Sequence, residues 1–274
     1  MKIEELLIEA KKKVHSDYAK MIMADMLNIN SLELFNYLNE QKDEEFCDNY
    51  FSKIDMLANN KPVQYVIGNV NFYGLNLEVN DKVLIPRFET EELVENTLNL
   101  INEHFDDDTL DIIDLGCGSG AIGLTLKSKL PNSNVTLLDI SSEALDVSKT
   151  NSFRLNLDVN FKRGDMLENI SDKFDVIISN PPYIKNNEKI DDLVKDNEPH
   201  LALYAGDDGL DCYKKILSNV SKNLKDNFLI AFEIGYDQKE DIINLANKYL
   251  TNINIICKKD LQNRDRMIFI MNKK

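Results

Sequence analysis

The spacing of apolar residues divides the chain into two parts. Up to about residue 60, apolar residues recur three and four positions apart, as at Ile3, Leu6 and Leu7, which is the spacing of an amphipathic helix. Ser31 is the expected N-cap of the third such segment. This part of the chain is therefore predicted to be a small helical bundle. Its four segments begin near residues 3, 18, 31 and 46.

The pattern changes around Pro62, and residues 63–68 lead into a segment of alternating apolar residues from Val70 to Val79. Apolar residues alternate with polar ones on both sides of Gly74, which predicts a β-hairpin. We accordingly divide the chain into a helical domain of residues 1–69, a hairpin linker of residues 70–82 and a larger domain of residues 83–274. Thr90, with two glutamates after it, is the expected start of a helix, because negative side chains favour a helix N-terminus.

From residue 110 onward, short apolar runs alternate with amphipathic segments. This alternation predicts an α/β fold, a doubly wound sheet with helices on both faces. The last two runs are too close together for a helical crossover, so the final strand is expected to be antiparallel. The seven predicted strands lie at residues 112–115, 135–138, 159–161, 176–178, 228–232, 253–257 and 267–271.

Charge and cysteine usage narrow the range of functions. The net charge of −15 disfavours nucleic acid as the main substrate, since an acidic surface repels the phosphate backbone, but it is compatible with a basic protein partner. The four cysteines and three histidines are scattered without metal-ligand spacing, so we expect no metal site and reduced thiols in the cytoplasm. No long apolar run or signal-peptide pattern is present, so no membrane association is expected.

The predicted strand at 176–178 ends abruptly at Asn180-Pro181-Pro182-Tyr183. Proline cannot donate to a sheet ladder, so the chain must leave the sheet here. Ligands bind at the carboxyl edge of an open α/β sheet. An amide oxygen, a carbonyl and an aromatic ring at that edge suit a planar –NH2 group, which needs two acceptors and a surface to stack on.

A glycine-rich loop follows the first strand of the predicted sheet, in the sequence Asp114-Leu-Gly-Cys-Gly-Ser-Gly120. Glycine lets the backbone turn tightly and approach a ligand closely. The loop and the following helix also satisfy the dinucleotide fingerprint, and Asp139, which ends the next strand, is placed to accept bonds from ribose hydroxyls. A pyrophosphate prefers an electropositive helix start, whereas Asp114 suits the ammonium group of S-adenosylmethionine. Predicted contributors from the loop are Gly116, Cys117, Gly118, Ser119 and Gly120.

Asp165 and Met166 follow the third strand. They are candidates for binding an adenine ring, Asp165 as an acceptor for the exocyclic amine and Met166 as an apolar contact. A turn carboxylate and a core methionine are the alternative interpretations.

The glycine loop, Asp139 and Asn180-Pro-Pro-Tyr183, in this order and spacing, resemble the class I S-adenosylmethionine-dependent methyltransferases that act on planar amino groups. The rest of the chain resembles one branch, the HemK/PrmC release-factor glutamine methyltransferases. Phe88 and Asn263 depart from the family pattern, which usually has proline and glycine there. The matching segments are residues 62–68, 83–91, 198–203, 206, 208–210, 233–236 and 260–266.

This resemblance implies a specific reaction. The cofactor would be S-adenosylmethionine, and the acceptor the side-chain amide N5 of the glutamine in the Gly-Gly-Gln motif of class 1 peptide chain release factors. Residues 1–69 would recognise the release factor, and residues 83–274 would form the methyltransferase domain. We expect a monomer that binds no nucleic acid or membrane.

The resemblance also implies residue roles. Asn180 and the Pro181 carbonyl would accept the two amide hydrogens, with Pro182 shaping the turn and Tyr183 packing on the amide plane. We assign Arg87 and Thr90 to cofactor binding, although a surface ion pair is an alternative for Arg87. Glu198 and His200 are expected to shape a lid, and packing within the loop is the alternative interpretation.

Four rival functions stay open on the sequence. The chain could methylate a glutamine of a ribosomal protein, or adenine N6 in nucleic acid. It could also bind the cofactor without catalysis, or be an NAD enzyme.

Overall fold

The computed structural model describes residues 1–106 and 109–273. They form two compact units, one of Met1–Asn69 with Asp191–Asn197 and one of Val70–Ile190 with Glu198–Lys274. The division of the chain at residues 69 and 82 stays a prediction. The helices are α1 Ile3–Ala10, α2 Ser16–Leu27, α3 Glu44–Ala58, α4 Val63–Ile67, α5 Phe88–His104, α6 Ala121–Lys129, α7 Ser142–Leu155, α8 Asp192–Asn197, α9 Asp211–Asn219 and α10 Lys239–Tyr249. The strands are β1 Asn69–Phe72, β2 Leu75–Glu78, β3 Asp111–Leu115, β4 Asn134–Asp139, β5 Asn160–Arg163, β6 Phe174–Ser179, β7 Leu224–Glu233, β8 Ile253–Lys259 and β9 Asp265–Asn272.

The first unit is helical and has its own core. The apolar positions with helical spacing, such as Ile3 and Leu6, are fully buried there. Tyr50 is also buried, and its hydroxyl donates a hydrogen bond to the Ala19 carbonyl at 3.1 Å, so the polar end of this large side chain is satisfied. Helical periodicity thus identified the packing face of α1, whereas in α2 the predicted face was partly wrong, because Tyr18 and Met21 are exposed.

Two predicted helix starts were wrong. Ser31 does not cap an α-helix, because the side chain of Asn30 accepts from the Leu32 N–H at 2.9 Å and forms a turn. Only a short 3₁₀ helix, Glu33–Tyr37, follows. Helix α5 begins at Phe88 rather than at Thr90, so Thr90 lies in the first turn.

The predicted hairpin is present as β1 and β2, which pair in a separate two-stranded sheet. Tyr73 and Gly74 form its turn and both have positive φ angles, 49° and 83°. A two-residue turn with both angles positive matches the right-handed twist of the flanking strands.

The main sheet has seven strands in the order β5-β4-β3-β6-β7-β9-β8. Strands β3 to β7 are parallel to one another, and β9 lies antiparallel between β7 and β8. This confirms the predicted doubly wound α/β fold and its antiparallel final strand. Successive residues of β3 pack on opposite faces: Ile113 and Leu115 belong to one core cluster and Ile112 to the other. Burial on both faces explains why the central strands are continuous apolar runs.

The strand ends position the candidate site. Strands β4, β3, β6 and β7 are neighbours, and all four end at the same edge of the sheet. That edge therefore brings together Asp139, the glycine loop, Asn180 and Glu233, which come from distant parts of the sequence. In residues 1–106 and 109–273, no helix is long and apolar enough to cross a membrane.

Candidate active site

A cavity of about 350 Å³ opens at the carboxyl edge of the sheet. Its walls come from the glycine loop, the ends of β4 and β5, the first turn of α5 and the segment after β6. The predicted site residues that line it are Thr90, Gly116, Cys117, Gly118, Ser119, Asp139, Asp165, Met166, Asn180 and Pro182.

The glycine loop and the helix α6 that follows it need glycine for two separate reasons. Gly118 has a φ angle of 54°, in the left-handed region that costs side chains energy. Gly123, in the first turn of α6, lies directly against β4, and a Cβ atom there would come within 2.1 Å of Leu137 Cδ2. Gly120 caps α6 at a φ angle of 83°. The loop therefore follows the sheet edge closely, with its backbone facing the cavity.

Asp139 anchors this loop. One carboxylate oxygen accepts from the Gly118 N–H and the other from the Ser141 N–H, both at 2.9 Å. Burial raises the pKa of Asp139, and these backbone hydrogen bonds oppose the rise. A carboxylate offers about four lone-pair sites, so each oxygen can also accept from a ligand hydroxyl in the cavity.

Asp114 lies behind the loop and is fully buried. One oxygen accepts from the Gly123 N–H at 2.9 Å, while the other has no hydrogen-bond partner among the described residues. Burial raises the pKa of Asp114 to about 7, despite the Gly123 bond, and the nearby Asp139 charge adds to the rise. The ionised form is thus a poorly compensated negative charge below the loop.

At the end of β5, Asp165 contacts a basic residue for which the sequence predicted no role. Asp165 forms an ion pair with Lys215 of α9 at 2.5 Å, and Lys215 also lines the cavity. Met166 adopts a φ angle of 50°, and its side chain lies against the loop near Gly116. The predicted adenine acceptor therefore already has a cationic partner.

Arg87 does not line the cavity. Its guanidinium donates to Glu198, whose other carboxylate oxygen accepts from the Ile85 N–H at 3.2 Å. Glu198 is buried, so this pair ties the segment before α5 to the segment after α8. The ion pair considered for Arg87 is what the structure has, and a cofactor contact stays a prediction.

Asn180 is held by a hydrogen-bonded chain. Its side-chain Nδ2 donates to Thr90 Oγ1 at 3.0 Å, and the Thr90 hydroxyl donates to Glu233 Oε2 at 2.7 Å. A hydroxyl has one hydrogen. If that hydrogen is given to a carboxylate, Thr90 can only accept from Asn180. The amide nitrogen of Asn180 then faces Thr90, and its oxygen is the acceptor presented on the other side.

Of the remaining motif residues, Pro182 lines the cavity, whereas Pro181 and Tyr183 do not. Pro181 is buried and does not line the cavity, and the Tyr183 ring packs against the core beneath the site. The Tyr183 hydroxyl lies 3.4 Å from Glu233 Oε1. Gln238 donates to the Tyr183 carbonyl at 3.0 Å, which fixes the end of the turn.

Glu233 is the main site residue to which sequence analysis gave no role. It is 2% exposed, and burial raises its pKa to about 7 although Thr90 and Arg266 both oppose the rise. The available signals were its position at the end of the apolar run of β7 and its place in the segment 233–236, which matches the family pattern.

Comparisons with known proteins agree with this architecture. A family model described as "Methyltransferase small domain" matches residues 89–202, and one described as "PrmC N-terminal domain" matches residues 2–68. A methyltransferase from Pyrococcus furiosus superposes with a TM-score of 0.54 at 17% identity, covering 80% of this chain and 98% of that one. The fold and the cavity edge define a Rossmann-like class I methyltransferase domain.

Closer relatives identify the family. The chain is 36% identical to a release factor glutamine methyltransferase of Bacillus cereus, over 91% of this chain and 90% of that one. It is 40% identical to a protein of the same name from Streptococcus pneumoniae, over 84% of this chain and 81% of that one. The chain belongs to the release factor glutamine methyltransferase family.

Proposed function

We propose that this protein transfers a methyl group from S-adenosylmethionine to a release factor, at the side-chain amide N5 of the glutamine in its Gly-Gly-Gln motif. Family membership supports the reaction and the class of substrate. The position on the glutamine and the motif rest on the resemblance of the Asn-Pro-Pro-Tyr segment. We further propose that residues 1–69 recognise the release factor, and that the protein acts as a cytoplasmic monomer without binding nucleic acid.

The cavity residues fit S-adenosylmethionine. Asp139 has acceptor capacity for the ribose hydroxyls, and Met166 offers an apolar contact for adenine beside Asp165. The glycine loop allows close backbone approach because Gly116 and Gly118 carry no side chain where the cavity begins. Asp114 supplies negative charge behind the loop, which favours an ammonium group in the cavity. When bound, the cofactor supplies an electrophilic methyl group on a sulfonium.

The amide of glutamine is a poor nucleophile, because its nitrogen lone pair is delocalised into the carbonyl. The protein must therefore position it. Asn180 Oδ1 and the Pro181 carbonyl would each accept one N–H of the substrate amide, which directs the lone pair toward the methyl group. Positioning of this kind can contribute roughly 7–11 kcal/mol at its upper limit.

No strong general base is needed in this mechanism. As the new N–C bond forms, the nitrogen loses its delocalisation and becomes strongly acidic, so its proton leaves to solvent after transfer. Asn180 and Pro181 are acceptors only and need not take the proton. Tyr183 would pack on the amide plane of the substrate.

The orientation of Asn180 carries the proposal. Asn180 lines the cavity and donates its Nδ2 hydrogen to Thr90 at 3.0 Å, which leaves its amide oxygen as an acceptor for an –NH2 group.

The test is methyl transfer from labelled S-adenosylmethionine to a purified class 1 release factor. A release factor whose Gly-Gly-Gln glutamine is replaced by alanine is the substrate control. Asn180→Ala is the enzyme variant, and Asn186→Ala, an exposed asparagine on the same segment bonded to Asp207, is its matched control. Label on the wild-type factor alone, lost in Asn180→Ala, is the expected result. Label on the alanine factor, or on ribosomal protein or nucleic acid in its place, would refute the assignment.

A further inference from the structure

A buried acid, Glu233, lies two hydrogen bonds away from the Asn180 amide. Resting on the proposed function, we propose that Glu233, acting through Thr90, is a positioning residue that determines which end of the Asn180 amide faces the cavity. Glu233 does not line the cavity, so it acts through other side chains.

The number of hydrogens in this chain decides the direction of each hydrogen bond. The chain runs from Asn180 Nδ2 to Thr90 Oγ1 over 3.0 Å and on to Glu233 Oε2 over 2.7 Å. An ionised carboxylate only accepts, so it takes the single hydroxyl hydrogen of Thr90. Thr90 is then an acceptor toward Asn180 and selects the amide nitrogen. The Asn180 oxygen is left as the acceptor for substrate.

Protonation of Glu233 removes this selection. A neutral carboxyl group can donate to Thr90, which frees the Thr90 hydrogen to be given elsewhere, including to Asn180 Oδ1. Both orientations of the Asn180 amide then become possible, and one of them presents a donor to the substrate N–H groups. Two donors facing each other cannot form the hydrogen bond that positions the nitrogen.

The same carboxyl group also contacts the second motif residue that needs a fixed position. Glu233 Oε1 lies 3.4 Å from the Tyr183 hydroxyl, and the Glu233 carbonyl accepts from the Tyr213 hydroxyl at 2.7 Å. One side chain thus connects to both Asn180 and Tyr183.

The surroundings of Glu233 place its titration near neutrality. Burial raises its pKa to about 7, opposed by the Thr90 hydrogen bond and by Arg266. Because the pKa is raised, the carboxylate forms only as the pH rises through about 7, and kcat should rise with it. The titratable and charged groups that face Glu233 are Glu89 on α5, Tyr183 after β6, Tyr213 on α9 and Arg266 on β9, itself paired with Asp260.

The first test compares Thr90→Val with Thr90→Ser. Valine keeps the shape of threonine but has no hydroxyl, whereas serine keeps the hydroxyl. At saturating cofactor, Thr90→Val should lower kcat roughly 30-fold, the effect of one oriented hydrogen bond, and Thr90→Ser should stay within about threefold of wild type. Equal kcat values for the two variants would overturn the proposal, provided that both bind S-adenosylmethionine and melt as the wild type does.

The second test uses Glu233→Gln, which keeps the size of the side chain but cannot ionise. In the wild type, kcat at saturating cofactor should fall about tenfold from pH 8 to pH 6, and in Glu233→Gln it should not depend on pH over this range. If kcat of Glu233→Gln fell from pH 8 to pH 6 as it does in the wild type, the proposal would be overturned. Saturating cofactor keeps the titration of Asp114, which acts on cofactor affinity, out of this measurement.

A third measurement does not depend on activity, so it separates this proposal from the proposed function. In protein labelled with ¹⁵N at asparagine, the Asn180 side-chain resonance, identified by its loss in Asn180→Ala, should titrate near pH 7. In Glu233→Gln it should not. The same titration in both proteins would overturn the proposal for Glu233, even if the enzyme methylates release factors. An inactive wild type whose Asn180 resonance titrates as expected would support the role of Glu233 and refute only the release-factor glutamine as methyl acceptor.

Discussion

Replacing Asp114 with asparagine should make the cofactor-free protein more stable at alkaline pH while it weakens cofactor binding. Asp114 is fully buried, has one oxygen on the Gly123 N–H and leaves the other without a partner among the described residues. Asparagine has the same shape, and its oxygen can keep the Gly123 bond. The ionisable group is removed, and an NH2 group takes the place of the oxygen that has no partner among the described residues.

The magnitude follows from the pKa of Asp114, which rises from 3.8 to about 7 on folding. The folded protein therefore holds this proton to higher pH than the unfolded chain does. Stability is lost as the pH rises from about 4 to about 7, and the penalty is constant above that. At about 1.4 kcal/mol per pKa unit the full penalty is about 4 kcal/mol, of which about 2.5 kcal/mol develops between pH 5 and pH 8.

The assay is urea unfolding of wild type and Asp114→Asn at pH 5 and pH 8, without cofactor. The advantage of the variant should grow by about 2.5 kcal/mol between the two conditions. Glu233 also titrates near pH 7, but it does so in both proteins and cancels in the difference. In calorimetry at pH 8, the variant should bind S-adenosylmethionine about tenfold more weakly, because attraction for the ammonium group is lost. An advantage that does not increase with pH would refute the electrostatic reasoning.

Three further substitutions test the site residues separately. Asn180→Ala should lower kcat about 100-fold with less than a threefold change in cofactor affinity; a parallel loss of both would assign Asn180 to the cofactor instead. Asp139→Ala should weaken cofactor binding at least about tenfold in calorimetry, since it anchors the Gly118 N–H and faces the cavity, and unaltered affinity would argue against this role. Gly123→Ala places a Cβ atom 2.1 Å from Leu137 Cδ2 and should lower the free energy of unfolding by about 2–3 kcal/mol, so an unchanged melting temperature would be inconsistent with the close packing.

Most of the sheet was predictable because its strands are buried on both faces. Residues such as Val176 and Ile177 belong to different core clusters, so the whole run must be apolar, and its length marks a strand. Strand β7 was the exception, since it begins at Leu224, four residues before the predicted start. The four additional residues at its start include Lys225, whose ammonium pairs with Asp111 of β3 and Asp175 of β6. Local patterning carries no sign of such partners.

The contacts within the site could not be predicted from the sequence in the same way. The motif around Asn180 indicated where the chemistry lies, but the residues that orient it are far away in the chain. Thr90 and Glu233 are 143 positions apart, and neither stands in a motif that specifies the pair. Thr90 was therefore assigned to the cofactor, and Glu233 received no role. Such contacts depend on strand order, which periodicity does not encode.

The pKa values of the carboxyl groups shift in opposite directions at the two edges of the sheet. This difference supports a functional site at the carboxyl edge. At the amino edge, burial would raise the pKa of Asp111, but hydrogen bonds from Lys225 and Asn134 outweigh it and lower the pKa. At the carboxyl edge, burial dominates and the pKa values of Asp114 and Asp139 are raised. Charges at the first edge are compensated within the protein, whereas those at the second reduce stability when ionised.

Uncompensated buried acids are costly and are expected where a ligand supplies the missing interaction. A bound cofactor carrying an ammonium group and ribose hydroxyls would provide it for Asp114 and Asp139. It would not do so for Glu233, whose compensation comes from Thr90 and Arg266 inside the protein. Cofactor binding should therefore lower the pKa of the first two carboxyl groups and leave that of Glu233 nearly unchanged, so that the pH dependence of the methyl-transfer step belongs to the residue that orients the amide.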